Sequence, residues 1–385
     1  MIQNVKVGID IGTSATRVVV SEFHKESLTP KILGTGIAPT HGMRHGYVLQ
    51  PTEVARSVKK ALTDAEKNAG ISIRRVYVSI GGVGLGSETA TGSIMISKAD
   101  GEVTHIDIER AMRESEESLK LANKKIIHAL PISYRIDGKE ILGSPEGIRG
   151  VKLEVKTLFV TSLEKHLDEL LAVVRSAGVE IVDVIASPIA ASFAVLNDRQ
   201  KTVGCALVNT GAETVSIAAF ENGGIVSLQV FSIGSADITN DIALGLKIPL
   251  EEAEGIKTGS MASEYSKKKL DEIIEARLRD IFELIDNHLK KIKRSGLLPA
   301  GIIITGGGAN LPRIEEYAKQ SLKLPAKIGV AEQFEQTKSK VRDHAWFVAA
   351  GLTIAGASGT NERGASDTWK RIKASLGAIL KQLMP

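Results

Sequence analysis

The sequence predicts a two-lobed α/β protein made of two similar halves, with a small α+β unit inserted into the first. Three observations carry this prediction. A chain of 385 residues exceeds what one hydrophobic core usually serves and suits two or three lobes. A strand, a glycine-bearing turn and a second strand occur near the N-terminus and again from about residue 203, as a duplicated half requires. Between them, over residues 83–161, the texture changes to short strands flanking one strongly charged helix.

The elements follow in order. Residues 5–11 are an apolar strand, with 17–23 as the hairpin partner across Gly12, Thr13 and Ser14. Val54, Val58, Ala61, Leu62 and Ala65 recur at helical spacing and predict a helix over 52–69, before a strand at 76–80. In the inserted unit, strands are expected near 91–96, 132–136 and 151–160, around a helix at 106–122. A helix at 163–177 and a strand at 180–185 resume the first rhythm.

The second half opens with strands at 203–208, 215–220 and 225–231. Helices are expected at 238–246, 250–257 and 269–294, the last amphipathic through Ile274, Leu278, Ile281, Phe282, Ile285 and Leu289. A buried strand at 301–305 runs into three glycines, and 345–357 is an apolar helix. Residues 355–366, rich in Gly, Ala, Ser and Asn, read as a flexible linker. The implied domains are a first lobe at 1–82 and 162–186, to which the chain returns near 345–357, and an insert at 83–161. They continue with a second lobe at 187–344 carrying a small subdomain at about 236–297, a linker at 358–366 and a terminal helix at 367–385.

Composition narrows the function classes. There are 49 Lys and Arg against 45 Asp and Glu, and the excess sits mainly in the last nineteen residues. The body of the chain is therefore no nucleic-acid binder. The single cysteine, Cys205, lies in an apolar run and reads as a buried, inert thiol, excluding a disulfide scaffold or Cys-rich zinc site. No run of 18 apolar residues is present, and the first residues lead straight into a strand without a signal-peptide core. The expectation is a protein kept in the cytoplasm.

Three turns carry the chemistry. Asp10-Ile-Gly-Thr-Ser14 follows a strand, so Gly12, Thr13 and Ser14 can present N–H groups and hydroxyls to a phosphate while Asp10 holds a metal-bound water. Asn209-Thr-Gly-Ala-Glu-Thr214 repeats this in the second half through Asn209, Gly211 and Thr214. Gly306, Gly307 and Gly308 form a third turn, suited to close backbone approach by a base or ribose.

At this point the chain resembles the actin, heat-shock-chaperone and sugar-kinase superfamily, and within it the bacterial cell-division FtsA family. The resemblance covers essentially all residues. Residues 8–14 match the superfamily's first phosphate loop, 203–220 its second and 303–310 its adenosine loop. Residues 238–254 and 273–277 are FtsA-like, as are His128-Ala-Leu-Pro-Ile-Ser-Tyr134 and 147–154, which match the subdomain that the FtsA family inserts in the first lobe. The resemblance implies an actin-like fold of duplicated ribonuclease-H-like halves and binding of ATP with Mg2+. It raises Glu254 and Lys257, three apart on one helix face, as base and ribose contacts.

Two positions depart from the family pattern. Asn209 stands where the superfamily usually has Asp, and Ser187, before Pro188, stands where a Glu or Gln usually orients the attacking water. Each loss would slow hydrolysis by about 10²–10⁴-fold, so the resemblance implies a nucleotide switch with absent or very slow turnover.

The last helix is two-faced. Trp369, Ile372, Leu376, Ile379, Leu380 and Leu383 form one stripe, with Lys370, Arg371, Lys373 and Lys381 beside it. This is the pattern of a helix lying in an anionic bilayer surface, and the FtsA family ends the same way. The resemblance further implies self-association into filaments on the inner face of the membrane. It also implies capture there of the C-terminal peptide of the tubulin-like FtsZ, with Arg277 as the charge contact.

Other signals carry less. His41 and His45 lie in a glycine-bearing loop and read as solvent-exposed. Residues 81–86, Gly-Gly-Val-Gly-Leu-Gly, lead into the insert and read as a hinge rather than a dinucleotide motif. Two rivals share the first turn or the fold: an adaptor similar to PilM of type IV pili, which lacks the basic terminal helix, and a sugar or carboxylate kinase, for which no acceptor-side carboxylate is identifiable.

Overall fold

The computed structural model describes residues 4–24, 29–261, 265–334 and 340–358. The first lobe opens with β1 (Asn4–Ile11) and β2 (Ala15–Phe23), an antiparallel hairpin that sets Asp10 opposite Arg17. β3 (Pro30–Pro39) pairs with β2, followed by a two-rung hairpin of β4 (Met43–Arg44) and β5 (Tyr47–Val48). α1 (Pro51–Ala69) begins with proline, where a missing N–H costs nothing, and stops at Gly70 in the left-handed region. It buries Val54, Val58, Ala61, Leu62 and Ala65 against the sheet. β6 (Arg75–Ile80) then lies parallel to β1.

The insert contains β7 (Gly86–Met95), α2 (His105–Glu117), β8 (Lys124–Ile136), β9 (Lys139–Ile141) and β10 (Lys152–Leu163). α2 starts on a capping box between Thr104 and Asp107, whose buried carboxylate also accepts from Ser97. Burial alone would raise this carboxyl's pKa; the bonds from Thr104 and Ser97 outweigh that and hold it down at about 2. The helix ends at Glu117 rather than at the expected 122, with Ser118 Oγ donating to the Ser115 carbonyl beyond its last turn.

α3 (Glu164–Ser176) and β11 (Glu180–Ala186) close the first sheet, ordered β11-β6-β1-β2-β3. Two short helices follow, α4 (Ser187–Val195) and α5 (Asp198–Val203), so the strand expected from 203 starts only at Cys205.

β12 (Cys205–Thr210), β13 (Val215–Glu221) and β14 (Gly224–Phe231) open the second half. α6 (Ser235–Leu246), α7 (Leu250–Thr258) and α8 (Lys267–Lys291) follow. β15 (Gly301–Thr305), α9 (Ile314–Leu322) and β16 (Ala326–Ile328) complete the second sheet, and α10 (Phe347–Ser358) returns to the first lobe. The order β16-β15-β12-β13-β14 reproduces that of the first sheet strand for strand, with the same mixture of parallel and antiparallel pairs. The second sheet continues into the insert through one rung, Gln229 opposite Gly86.

One core runs through both lobes. It joins the first sheet, α1, α4 and α10 to the inner faces of β12–β14. A second core fills the outer half of the second lobe, with Phe282 of α8 at its centre, and a third lies in the distal insert around Leu153 and Val155. Truncating Phe282 to Ala would cost about 3–5 kcal/mol. α10 is apolar all round because β1 covers one face and α4 another.

Residues 355–358 belong to this helix, which corrects the reading of a linker from 355. The rest of that linker and the terminal stripe, Trp369 to Leu383 with Lys370, Arg371 and Lys373, lie outside the described residues. Cys205 is buried as expected, and burial pushes its thiol up to about 12. Among the described residues, no helix is long and apolar enough to cross a membrane.

A cleft between paired hairpin turns

The two hairpin turns face each other across a cleft of about 590 Å³, a size that suits a small-molecule ligand. In the first, the Gly12 N–H donates to the Ala15 carbonyl at 3.2 Å; in the second, Gly211 donates to Thr214 at 2.8 Å. The same closure in both turns brings Thr13 and Ser14 to one wall, and Asn209, Gly211 and Thr214 to the other.

Asp10 sits at the cleft floor, accepting from Ser79 Oγ at 2.7 Å. Burial raises its pKa above the usual carboxylate value, opposed by the Ser79 bond and the charge of Arg17. A divalent cation would remove the penalty that burial imposes on this carboxylate.

The third turn, Gly306 to Gly308, also lines the cleft. Gly306 has φ 85°, and a Cβ there would stand 2.3 Å from Asn209 Oδ1. A Cβ on Gly308 would meet Thr210 Cγ2 at 2.4 Å. Both glycines therefore let the turn close on the end of β12; Gly307 faces more open space, its nearest neighbour Ala345 Cβ at 3.9 Å.

Glu254 and Lys257 line the cleft from α7 as a tight pair, Nζ to Oε2 at 2.7 Å. Lys257 also donates to Thr239 Oγ1 at 2.8 Å and the Ser235 carbonyl at 3.0 Å, and its side chain is only 6% exposed. Burial acts to raise the Glu254 carboxyl, but the bonds from Lys257 and Thr239 outweigh it and lower its pKa. Lys257 is thus held in place, and Glu254 is the half that meets solvent.

The sequence reading missed Arg17. It lies cross-strand from Asp10, its guanidinium 5.9 Å from the Trp346 ring centre, on the cleft wall. Its Nε is buried with no hydrogen-bond partner among the described residues. An unpaired cationic donor beside two hydroxyl-bearing turns fits a phosphate-bearing ligand. The signal was present: seven residues on from Asp10 in a two-strand hairpin is the opposite rung. Asp343, His344 and Asn310 also reach the cleft and were not anticipated.

Among the described residues, no three His, Cys, Asp or Glu side chains could hold a metal by themselves. Asp10 with water fits a Mg2+ that takes most of its ligands from phosphates and solvent.

Two other expectations met contacts. His45 is half-buried, not solvent-exposed: its N–H donates to Glu213 Oε2 at 2.6 Å, from the first lobe to the second turn. Arg277 grips Asp241 through Nε at 2.6 Å and Nη2 at 2.9 Å, with Asp280 at 3.3 Å, joining α8 to α6. Ser187, at the start of α4, lines the cleft beside Gly81.

The model of the FtsA cell-division family matches residues 206–351, and that of the SHS2 domain inserted in FtsA matches 82–161. The cell division protein FtsA of Bacillus subtilis is 30% identical over 90% of this chain and 82% of its own length. Among solved structures, the PilM–PilN type IV pilus biogenesis complex has a TM-score of 0.68 at 17% identity, covering 91% of this chain and 98% of that one. MreB5 of Spiroplasma citri bound to ADP reaches 0.52 at 13% identity, covering 91% and 95%. At these identities the structural likenesses establish the actin-like ATPase fold.

Proposed function

The chain belongs to the FtsA family of cell-division proteins, and on that premise we propose that it is an ATP-binding switch that assembles on the inner membrane surface and anchors FtsZ filaments there. The observation that carries the nucleotide part is the pair of matched turns facing one cleft, with the Arg17 Nε left without a hydrogen-bond partner on its wall. Bound Mg-ATP would supply a polyanion that both turns can grip.

In this reading Thr13, Ser14 and Thr214 hold the phosphates, Arg17 neutralises them, and Asp10 orients a water on Mg2+. Glu254 meets the ribose, while Gly306, Gly307 and Gly308 shape the base end. Ser187 is too short and too weak a base to activate water, and Asn209 brings no charge to the metal, so turnover is absent or very slow. Filling the cleft closes the lobes and favours the filament.

The terminal stripe, Trp369, Ile372, Leu376, Ile379, Leu380 and Leu383 with Lys370, Arg371 and Lys373, holds that filament at an anionic surface, where many weak anchors sum to avidity. The small subdomain of α6–α8 receives the FtsZ C-terminal peptide. There Arg277 contributes charge from its clamp with Asp241.

Co-sedimentation with anionic vesicles tests this, comparing the full chain with one ending at Ser366, with and without Mg-ATP. Pelleting that needs 367–385 and strengthens with Mg-ATP is the expected result. Equal pelleting of both chains would contradict it.

A further inference from the structure

The insert is rooted on both lobes. On the second-lobe side, the Ser87 hydroxyl donates to the Leu228 carbonyl at 3.0 Å and accepts the Leu228 N–H at 2.7 Å. On the first-lobe side, the buried His128 makes the join, and the buried His166 braces the first lobe beside it. His128 of β8 is fully buried, and its Nε2 accepts the Ala186 N–H at 3.1 Å. Ala186 is the cap of α4, whose first residue, Ser187, lines the cleft. His166 of α3 holds the Gly81 carbonyl at 3.0 Å from Nε2 and packs edge-on against Tyr47. Gly81 and Ser187 are neighbours: a Cβ on Gly81 would stand 3.1 Å from Ser187 Oγ.

The chain builds this contact deliberately. Val160 of β10 faces His128 while Thr161 faces Ile126, so Ile127 is an extra residue and the bulge re-aims the strand. Around that bulge Ile127 and Leu130 pack into the main core; beyond a second bulge at Ile132, Tyr134 and Ile136 of the same strand pack into the distal insert. β8 therefore runs as one strand from its contact with Ala186, the residue before the cleft-lining Ser187, into the distal insert. The Nδ1 atoms of both histidines are buried without a partner among the described residues, a cost that packing alone does not explain.

We propose that His128 is a positioning residue that couples the Ser187 wall of the cleft to the inserted unit, so that occupancy of the cleft sets how firmly β8 and β10 pack. His128 touches no ligand. A shift of Ser187 that carries Ala186 with it moves the N–H of the Ile185–Ala186 peptide, and with it the ring, the bulge and β8. The coupling rests on the reading of the cleft as a nucleotide site, so nucleotide binding is measured separately in each variant.

The test uses the full chain. Amide hydrogen exchange of β8 and β10 is followed with and without Mg-AMPPNP, and affinity is read from a fluorescent ATP analogue. In the wild type, nucleotide is expected to slow exchange in these strands by about 5-fold or more, the lower end of ordinary coupling. His128→Phe, which keeps a ring but no acceptor, should bind nucleotide within about 3-fold of wild type yet lose that response. His128→Gln, which restores an acceptor, should keep it.

If His128→Phe does not fold, His128→Leu, smaller and likewise without an acceptor, removes the same bond. It should lose the response in the same way. Nucleotide binding without any change in wild-type β8 and β10 would overturn the coupling and leave the cleft reading intact. A full response in His128→Phe or His128→Leu would overturn it as well. Absence of wild-type binding would remove both.

Discussion

The two hairpin turns share a backbone and differ in chemistry. Both close by the same glycine-to-carbonyl bond, and both face the same cleft. The first sets Asp10 opposite Arg17; the second, at matching rungs, sets Asn209 opposite Ser216. In the proposed reading both lobes keep a turn that can grip phosphate, while at these matching rungs the charged pair stands in the first lobe alone. A second lobe of this kind can clamp, but it has little with which to drive hydrolysis. That difference yields predictions of decreasing size.

The largest effect should come from making the second half resemble an active one. Asn209→Asp combined with Ser187→Glu should raise steady-state ATP hydrolysis by about 10²-fold or more, measured as phosphate release. No gain in the double variant, with nucleotide still bound, would mean that these two positions do not limit turnover. Next is Arg17→Ala, which removes the cation opposite Asp10 on the cleft wall. It should weaken ATP by about 10–100-fold in a fluorescence titration, as loss of a charged hydrogen bond implies. The matching change Ser216→Ala should move affinity far less. Equal losses would break the asymmetry.

The smallest prediction concerns acid stability. Burial lowers the pKa of His128 and His288 to about 4, Lys291 adding to the effect at His288, and lowers that of His166. A folded pKa below the unfolded 6.5 means the stabilisation is complete above about pH 6.5 and is lost as pH falls toward 4. Asp183, raised to about 6 by burial, and Asp10, also raised by burial, run the opposite way and soften the loss. His288 lies in the second lobe, bonded to Ser227 at 2.9 Å and away from the cleft. His288→Gln should flatten the urea-midpoint profile between pH 6.5 and 4 by about 1.4 kcal/mol per pH unit. An unchanged slope would remove His288 from the account.

Much of this was legible in the sequence because the signals were local. A glycine turn after an apolar strand announced both hairpins, and the stripe of α1 announced its buried face. β3 escaped because Pro30, Gly34, Gly36 and Pro39 disguise a strand; here the glycines let α1 approach, Gly36 lying against the Ala61 carbonyl. α4 escaped for the opposite reason. Nine residues buried nearly all round show no helical period.

In the site, residues within the three turns were readable, since each turn is a contiguous segment. Arg17 became visible only through strand pairing. The contacts of His128 with Ala186 and of His45 with Glu213 join residues 58 and 168 apart, which no spacing rule reaches. The pairing of Glu254 with Lys257 followed from their spacing, whereas the burial that fixes Lys257 did not.

The most direct test of the central claim is equilibrium titration of the full chain with a fluorescent ATP analogue, in Mg2+ and in EDTA, for wild type, Asp10→Asn and Asn209→Ala. The account predicts saturable binding that Mg2+ strengthens in the wild type and in Asn209→Ala, with the Mg2+ dependence lost in Asp10→Asn alone. Mg2+ dependence lost equally in both variants, or absent from the wild type, would contradict it.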